Sequence, residues 1–231
     1  MRELKQIAQI LAEDTESSVI ILRGEGVFSA GADLKDPERV SQGQASFIAQ
    51  RQAARLGPDM CQAWAELEQI TIVAIEGFCI GGGLALAAAC DHRVAAEDSH
   101  MRLPEVPLGM NMSWQSVPRL VALIGPSRAK QLVILGQKVP AQTAYEWGLV
   151  DEVVSTGATL QAGRALADLY AALPPVALRM AKQGIEAAAH PLSHATSFMD
   201  RDQFLLAAKT RDQAEALTAF LEKRTPHFTG D

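Results

Sequence analysis

Residues 71–92 read TIVAIEGFCIGGGLALAAACDH. The opening residues are apolar without alternation, the pattern of a strand buried on both faces, which points to a parallel sheet covered by helices. Three consecutive glycines, Gly81, Gly82 and Gly83, then lead into an apolar run of helical length. Strand, glycines and helix in that order set an α/β class before any other segment is read. Glycine costs conformational entropy wherever it is ordered, so three together need a reason. Either the helix must start tight against a neighbour, or its unpaired N–H groups face an anion. The run is not a nucleotide phosphate loop, because no Gly-Lys-Ser/Thr follows, and it lacks the dinucleotide fingerprint spacing. LALAAAC is apolar but too short to cross a bilayer.

The other segments fit the same class. LKQIAQILAED has helical spacing and starts almost at Met1, without a cap. SSVIILRG is a second buried strand, closed by Gly24, and HRVAAED, HMRLPEV and DEVVS read as short strands. A helical region from about Phe47 to Glu68 is expected to be disturbed at Gly57–Pro58. SVPRLVALIG, PSRAKQLVILG and PAQTAYEWGLV read as three short helices closed by glycine, with Pro126 and Pro140 near first turns. Four helices follow: ATLQAGRALADLYAAL, PPVALRMAKQGIEAAA, SHATSFMDRDQFLLAAK and TRDQAEALTAFLEKR.

A chain of 231 residues, 48% hydrophobic, has enough apolar content for one large domain. Its net charge of -6 argues against nucleic acid or an anionic membrane as principal partner. Cys61, Cys79 and Cys90 lie in apolar or helical stretches at no metal-ligand spacing, which points to no metal and to a reducing cytoplasm. His92 and His100 have no carboxylate partner at a persuasive spacing, and no serine sits in a nucleophile elbow. A second loop, FSAGADLKD, resembles the triple-glycine loop: it follows a buried strand, carries Gly31 and Ala32, and is followed directly by Pro37 as a breaker. Two such loops could each give one backbone N–H to one developing negative charge. Asp33 reads as a cap for the next turn.

FSAGADLKD, IEGFCIGGGLALAAACDHRVAAEDSHMRLPEVPLG and TRDQAEALTAFLEKRTPHFTG together resemble the enoyl-CoA hydratase/isomerase (crotonase) family. The resemblance implies a crotonase-like α/β spiral of ββα units with a helical C-terminal trimerisation region. It implies a core over residues 1–175, expected without the usual N-terminal strand hairpin, and a helical oligomerisation and CoA-contacting region over 176–231. A homotrimer or hexamer is implied, with an acyl-CoA thioester as substrate and no other cofactor. By the same resemblance, the N–H groups of Ala32 and Gly82 polarise the thioester carbonyl.

The resemblance also locates acids, and here the sequence departs from the hydratase pattern. Hydratases of the family use two glutamates; Glu105 matches one, and Ala85 stands at the other. Ser113 stands where some relatives carry an aspartate. Met110, Asn111, Met112 and Trp114 fall where many relatives are glycine-rich, and are candidates for the acyl pocket; ordinary core is the other reading of the two methionines. Phe220 and Lys223 match CoA contacts, with Arg224 adjacent, and Leu217 replaces a common glycine. A single carboxylate suits double-bond isomerisation better than hydration. Hydration, and a catalytically weak acyl-CoA-binding scaffold, remain as alternatives.

Overall fold

The computed structural model describes residues 1–33 and 45–231. Pro37 and the end of FSAGADLKD lie outside the described residues, as does the turn that Asp33 was expected to cap.

Helix α1 (Arg2–Ala12) precedes strand β1 (Val19–Arg23). Helices α2 (Phe47–Ala53) and α3 (Leu56–Ala65) follow. The break falls at Ala54–Arg55, three residues before the expected Gly57–Pro58. Pro58 instead sits in the first turn of α3, where a missing N–H is no loss. Strand β2 (Ile70–Ile75), strand β3 (Phe78–Ile80) and helix α4 (Gly82–Ala87) come next, then β4 (His92–Ala96) and β5 (His100–Arg102). A short 3-10 turn, Val106–Leu108, leads to α5 (Ser116–Lys130). Gly125 (φ 72, ψ 164) divides α5 into the two units that the glycine spacing predicts. Beyond a π turn at Gln131–Leu135 lie β6 (Val139–Pro140), α6 (Ala141–Trp147) and β7 (Glu152–Val154). The chain ends in α7 (Thr159–Ala171), α8 (Pro175–Ala189), α9 (Ser193–Ser197), α10 (Asp200–Ala207) and α11 (Arg211–Glu222). SHATSFMDRDQFLLAAK, read as one helix, is therefore two, interrupted at Phe198–Met199.

The strands form two sheets. Four pair in parallel in the order β1-β2-β4-β7, with Val19 opposite Ile70 and Ile72 opposite His92. Three form a second sheet in the order β3-β5-β6. Successive strands of each ββα unit thus go to different sheets: β2 to the first and β3 to the second, then β4 and β5 likewise. The segment after β1 follows the same rule, since Ser29 bridges in parallel to Cys79 of β3. Strand β3 was not legible as a strand because three residues give no period, and Gly77 (φ 64) turns the chain between it and β2.

Every residue of β2 is buried, which accounts for its unbroken apolar run. Its alternate side chains serve two cores. Ile70 and Ile72 pack with Val94 and Leu178, beneath Ala162, Leu166 and Tyr170 of α7. Val73 and Ile75 belong to the main core with Trp64, Leu84 and Met101. Buried charge is fully engaged where it braces the sheet. Lys182 Nζ donates to the Gln69 carbonyl and to Asp91 Oδ2, both at 2.7 Å, and Asp91 Oδ2 accepts from the Thr71 N–H at 2.6 Å. Arg93 donates to the carbonyls of Ala87, Cys90 and Leu149, so it closes the C-terminal end of α4.

Candidate active site

The ends of β1 and β3 carry two loops that meet. Ser29 is tied to β3 by backbone hydrogen bonds: its N–H donates to the Phe78 carbonyl (3.0 Å), and its carbonyl accepts from the Ile80 N–H (2.9 Å). Two residues on, Gly31 (φ +85) approaches so closely that a Cβ there would lie 2.8 Å from the Ile80 carbonyl oxygen. Gly81 (φ +57) sits opposite; a Cβ on it would come within 3.9 Å of Gly31 Cα. Both conformations are ones that side-chain-bearing residues rarely adopt. The residues that follow, Ala32 and Gly82, line one shared cavity. Among the described residues, no backbone hydrogen bond engages either N–H. For Gly82 that follows from its place as first residue of α4.

The triple glycine therefore answers to both of its readings. Gly83 is a packing residue, since a Cβ there would meet Ser29 Cβ at 2.4 Å. Gly81 leaves room for a carboxylate: Glu105 Oε1 stands 3.0 Å from the Cβ that it lacks.

Glu105 follows β5 and opens the 3-10 turn. Burial pushes its carboxyl up to about 7, against smaller opposing effects of its own N–H and of Arg102. Its Oε2 is enclosed without a hydrogen-bond partner among the described residues. Asp33, Asp59 and Glu105 are the carboxylates among the described cavity residues. Asp33 is exposed and Asp59 is paired with Lys5 at 2.9 Å, whereas Glu105 is half-buried and is the one with an enclosed carboxylate oxygen. An acid poised near neutrality can both accept and return a proton.

The cavity has a volume of about 1290 Å³. Met110, Asn111, Met112, Ser113, Trp114 and Phe220 all line it, and so does Leu217. The two methionines are buried, and Met112 also belongs to the main core, so both readings of that residue hold. Asn111 Nδ2 donates to Gln203 Oε1 at 3.0 Å. Ala85 is wholly enclosed in the core and forms no part of the cavity wall. Lys223 ends α11 in a left-handed conformation and is not part of its own chain's cavity. Arg224 is engaged by Glu215 and Glu222, which removes it as a free cation beside Lys223.

His92 lies away from the cavity with Nε2 at 2.7 Å from Tyr170 Oη, and burial lowers its pKa. His100 stacks near Phe78 and is likewise lowered by burial. The three cysteines are buried free thiols, with Cys61 and Cys90 pushed up to about 12 by burial and Cys79 raised by the same cause. No three His, Cys, Asp or Glu side chains gather as a metal site among the described residues. No helix among them is long and apolar enough to cross a membrane.

Sequence reasoning missed how Trp114 is held. Trp114 (φ 63) and Gln115 (φ 55) are consecutive left-handed residues. That conformation costs about 1–2 kcal/mol per side-chain-bearing residue. The indole fills the space above Gly57 and Gly82, where a Cβ would meet it at 2.0 and 2.3 Å. The Gln115 N–H donates to Asp200 Oδ2 at 2.9 Å, across 85 residues of sequence. Asp200 is buried, which raises its carboxyl to about 6. Nothing local to either residue signals that contact.

Paired strands divided between two sheets, with loop ends and a half-buried acid facing one cavity, define a crotonase-fold protein. The chain belongs to the enoyl-CoA hydratase/isomerase family, whose model it matches over residues 1–231. It is 34% identical over 235 residues to the 2,3-dehydroadipyl-CoA hydratase of Escherichia coli K12, covering 100% of this chain and 88% of that protein. It is 32% identical to the crotonyl-CoA hydratase of Syntrophomonas wolfei, covering 98% of this chain and 86% of that one. Among solved structures, an enoyl-CoA hydratase from Mycobacterium avium subsp. paratuberculosis superposes with a TM-score of 0.86 at 25% identity, covering 98% of this chain and 86% of that one. One from Bacillus anthracis superposes at 0.74 with 34% identity, covering 100% and 88%.

Proposed function

We propose that this protein moves the double bond of an enoyl-CoA thioester, with Glu105 as the proton carrier. The supporting observation is that, among the described residues lining the cavity, Glu105 is the carboxylate with an enclosed oxygen, while Ala85 is enclosed in the core. In this reading the thioester oxygen accepts from the N–H groups of Ala32 and Gly82. The Glu105 carboxylate takes a proton from C2 of a 3-enoyl thioester. The C–H electron pair becomes the C1–C2 double bond of a dienolate, and the carbonyl pair moves to oxygen, where two fixed donors stabilise it more than they did the ground state. On collapse the carbonyl re-forms, C2–C3 becomes double, and protonated Glu105 returns its proton to C4. The product is the 2-enoyl isomer.

Water addition to a 2-enoyl thioester is the second reading. It is favoured by the relatives, whose names are those of hydratases. Here water adds at C3 and Glu105 manages a proton without a second acid. Incubation with a 3-enoyl-CoA and, separately, a 2-enoyl-CoA distinguishes the two by mass spectrometry. Bond migration leaves the mass unchanged; hydration adds one water. Efficient hydration with negligible migration refutes the isomerase reading.

Assembly into a trimer or a pair of trimers belongs to the same proposal. Leu169, Leu173, Val176 and Met180 of α7, α8 and their junction remain 50% to 70% exposed in the isolated chain, more apolar surface than a monomer needs to leave in water.

A further inference from the structure

The chemistry assigned to Glu105 leaves Trp114 unexplained. Its indole spans two helix starts, Gly57 in the first turn of α3 and Gly82 at the head of α4. Neither contact would survive a side chain: a Cβ at Gly57 would lie 2.0 Å from Trp114 Cε2, and one at Gly82 would lie 2.3 Å from Cζ3. The backbone below the ring is left-handed for two residues. It is braced from elsewhere in the chain. Asp200 Oδ2 accepts from the Gln115 N–H at 2.9 Å. Arg119 Nη1 donates to the Trp114 carbonyl at 3.5 Å and to the Gln115 carbonyl at 3.2 Å, while its Nη2 reaches Gln62 Oε1 at 3.0 Å. Asp200 and Arg119 are both buried. A bulky ring held in an unfavourable backbone by buried charged groups is placed, not accommodated.

We infer that Trp114 is the stop of the acyl site, restricting the thioester to a short acyl group, and that Asp200 and Arg119 are positioning residues that hold the stop. The inference rests on the acyl-thioester reading above. A carbonyl held at the Gly82 N–H has the indole beside the same residue, so acyl carbons leaving that carbonyl reach the ring within a few atoms. The ring lines the cavity on one side and packs against the main core on the other, so it has no room to retreat. Cavity walls of this kind discriminate by size, at roughly 10–200-fold per methylene accepted or refused.

Calorimetric titration of the full chain with butyryl-, octanoyl- and dodecanoyl-CoA tests this without requiring turnover. Wild type is expected to bind butyryl-CoA best. Trp114→Ala is expected to raise the ratio of octanoyl to butyryl affinity by about tenfold or more, with Trp114→Phe intermediate. Asp200→Ala is expected to raise the same ratio by releasing the brace, whereas Asp200→Asn, which keeps an acceptor for the Gln115 N–H, retains the wild-type ratio. Circular dichroism establishes that each variant is folded, and Trp114→Phe decides the matter if the alanine variant is not. An unchanged ratio in the Trp114 variants overturns the stop. An unchanged ratio in Asp200→Ala overturns the brace. Absence of binding by wild type to all three thioesters overturns the acyl-thioester reading itself, and the stop with it.

Discussion

Replacing Glu105 by glutamine should produce a protein that is more stable and nearly inactive. The carboxyl is raised by burial from 4.5 to about 7. A folded-state pKa above the unfolded one means that the folded chain holds this proton more tightly. Stability from this group is therefore fully present below about pH 4.5 and is lost as pH rises toward 7. At about 1.4 kcal/mol per pKa unit, the ionised side chain costs the folded state about 3 kcal/mol above pH 8, and only about 1.4 kcal/mol at pH 5.5. Glutamine stays neutral and avoids this cost, while keeping an acceptor for the backbone N–H of residue 105. Urea unfolding followed by tryptophan fluorescence, at one protein concentration, should show the variant ahead of wild type at both pH values. The gap should widen by about 2 kcal/mol from pH 5.5 to pH 8.5. Turnover should fall roughly 10²–10⁴-fold, the usual contribution of a proton-transferring side chain. A gap that does not change with pH, or that narrows, would show that the carboxyl is not held near neutrality. Unchanged turnover would place the base elsewhere.

In the proposed mechanism the base form of Glu105 starts the reaction, so kcat/KM should rise with pH and level off above about 7; a profile flat from pH 5 to 9 excludes that role. Gly82→Ala should cost about 1–3 kcal/mol through overpacking against the indole, a loss that Trp114→Ala in the same chain should largely restore. Additive effects in that double-mutant cycle would mean that the two residues do not touch. Light scattering should give a mass of three or six chains at micromolar concentration, and a monomer would remove the assembly proposal.

Much of the fold was legible because its strongest signals are local. The unbroken apolar run of β2, and the glycines at 125, 136 and 148 that all take positive φ, mark strand and helix ends from neighbouring residues alone. Glu105, Ala32 and Gly82 were reached through motif resemblance, which names residues without explaining how two loops meet. What could not be read were elements too short for a period, such as β3 and β6, and contacts distant in sequence. The Gln115–Asp200 hydrogen bond and the Trp114 ring over Gly57 are of that kind. Ala85 shows the opposite limit. Its position named a missing acid, but only packing shows that the side chain is sealed in the core.

The bridge between Ser29 and Cys79 also makes the site a matter of alignment. The two loop ends belong to different turns of the spiral and are brought level by a few backbone hydrogen bonds. A slip of one residue would carry one N–H about 3.3 Å along the strand, past the oxygen that both are proposed to reach, and would turn its neighbours to the opposite face. Insertions in the chain between these strands can be absorbed as looped-out length, provided that this pairing is kept. A single inserted residue between Ser29 and Ala32, or between Cys79 and Gly82, cannot be absorbed in that way: the molecule could stay folded and still lose its chemistry. Register here works as a gauge, and the spacing from Ser29 to Ala32 and from Cys79 to Gly82, three residues in each arm, is the length that it measures.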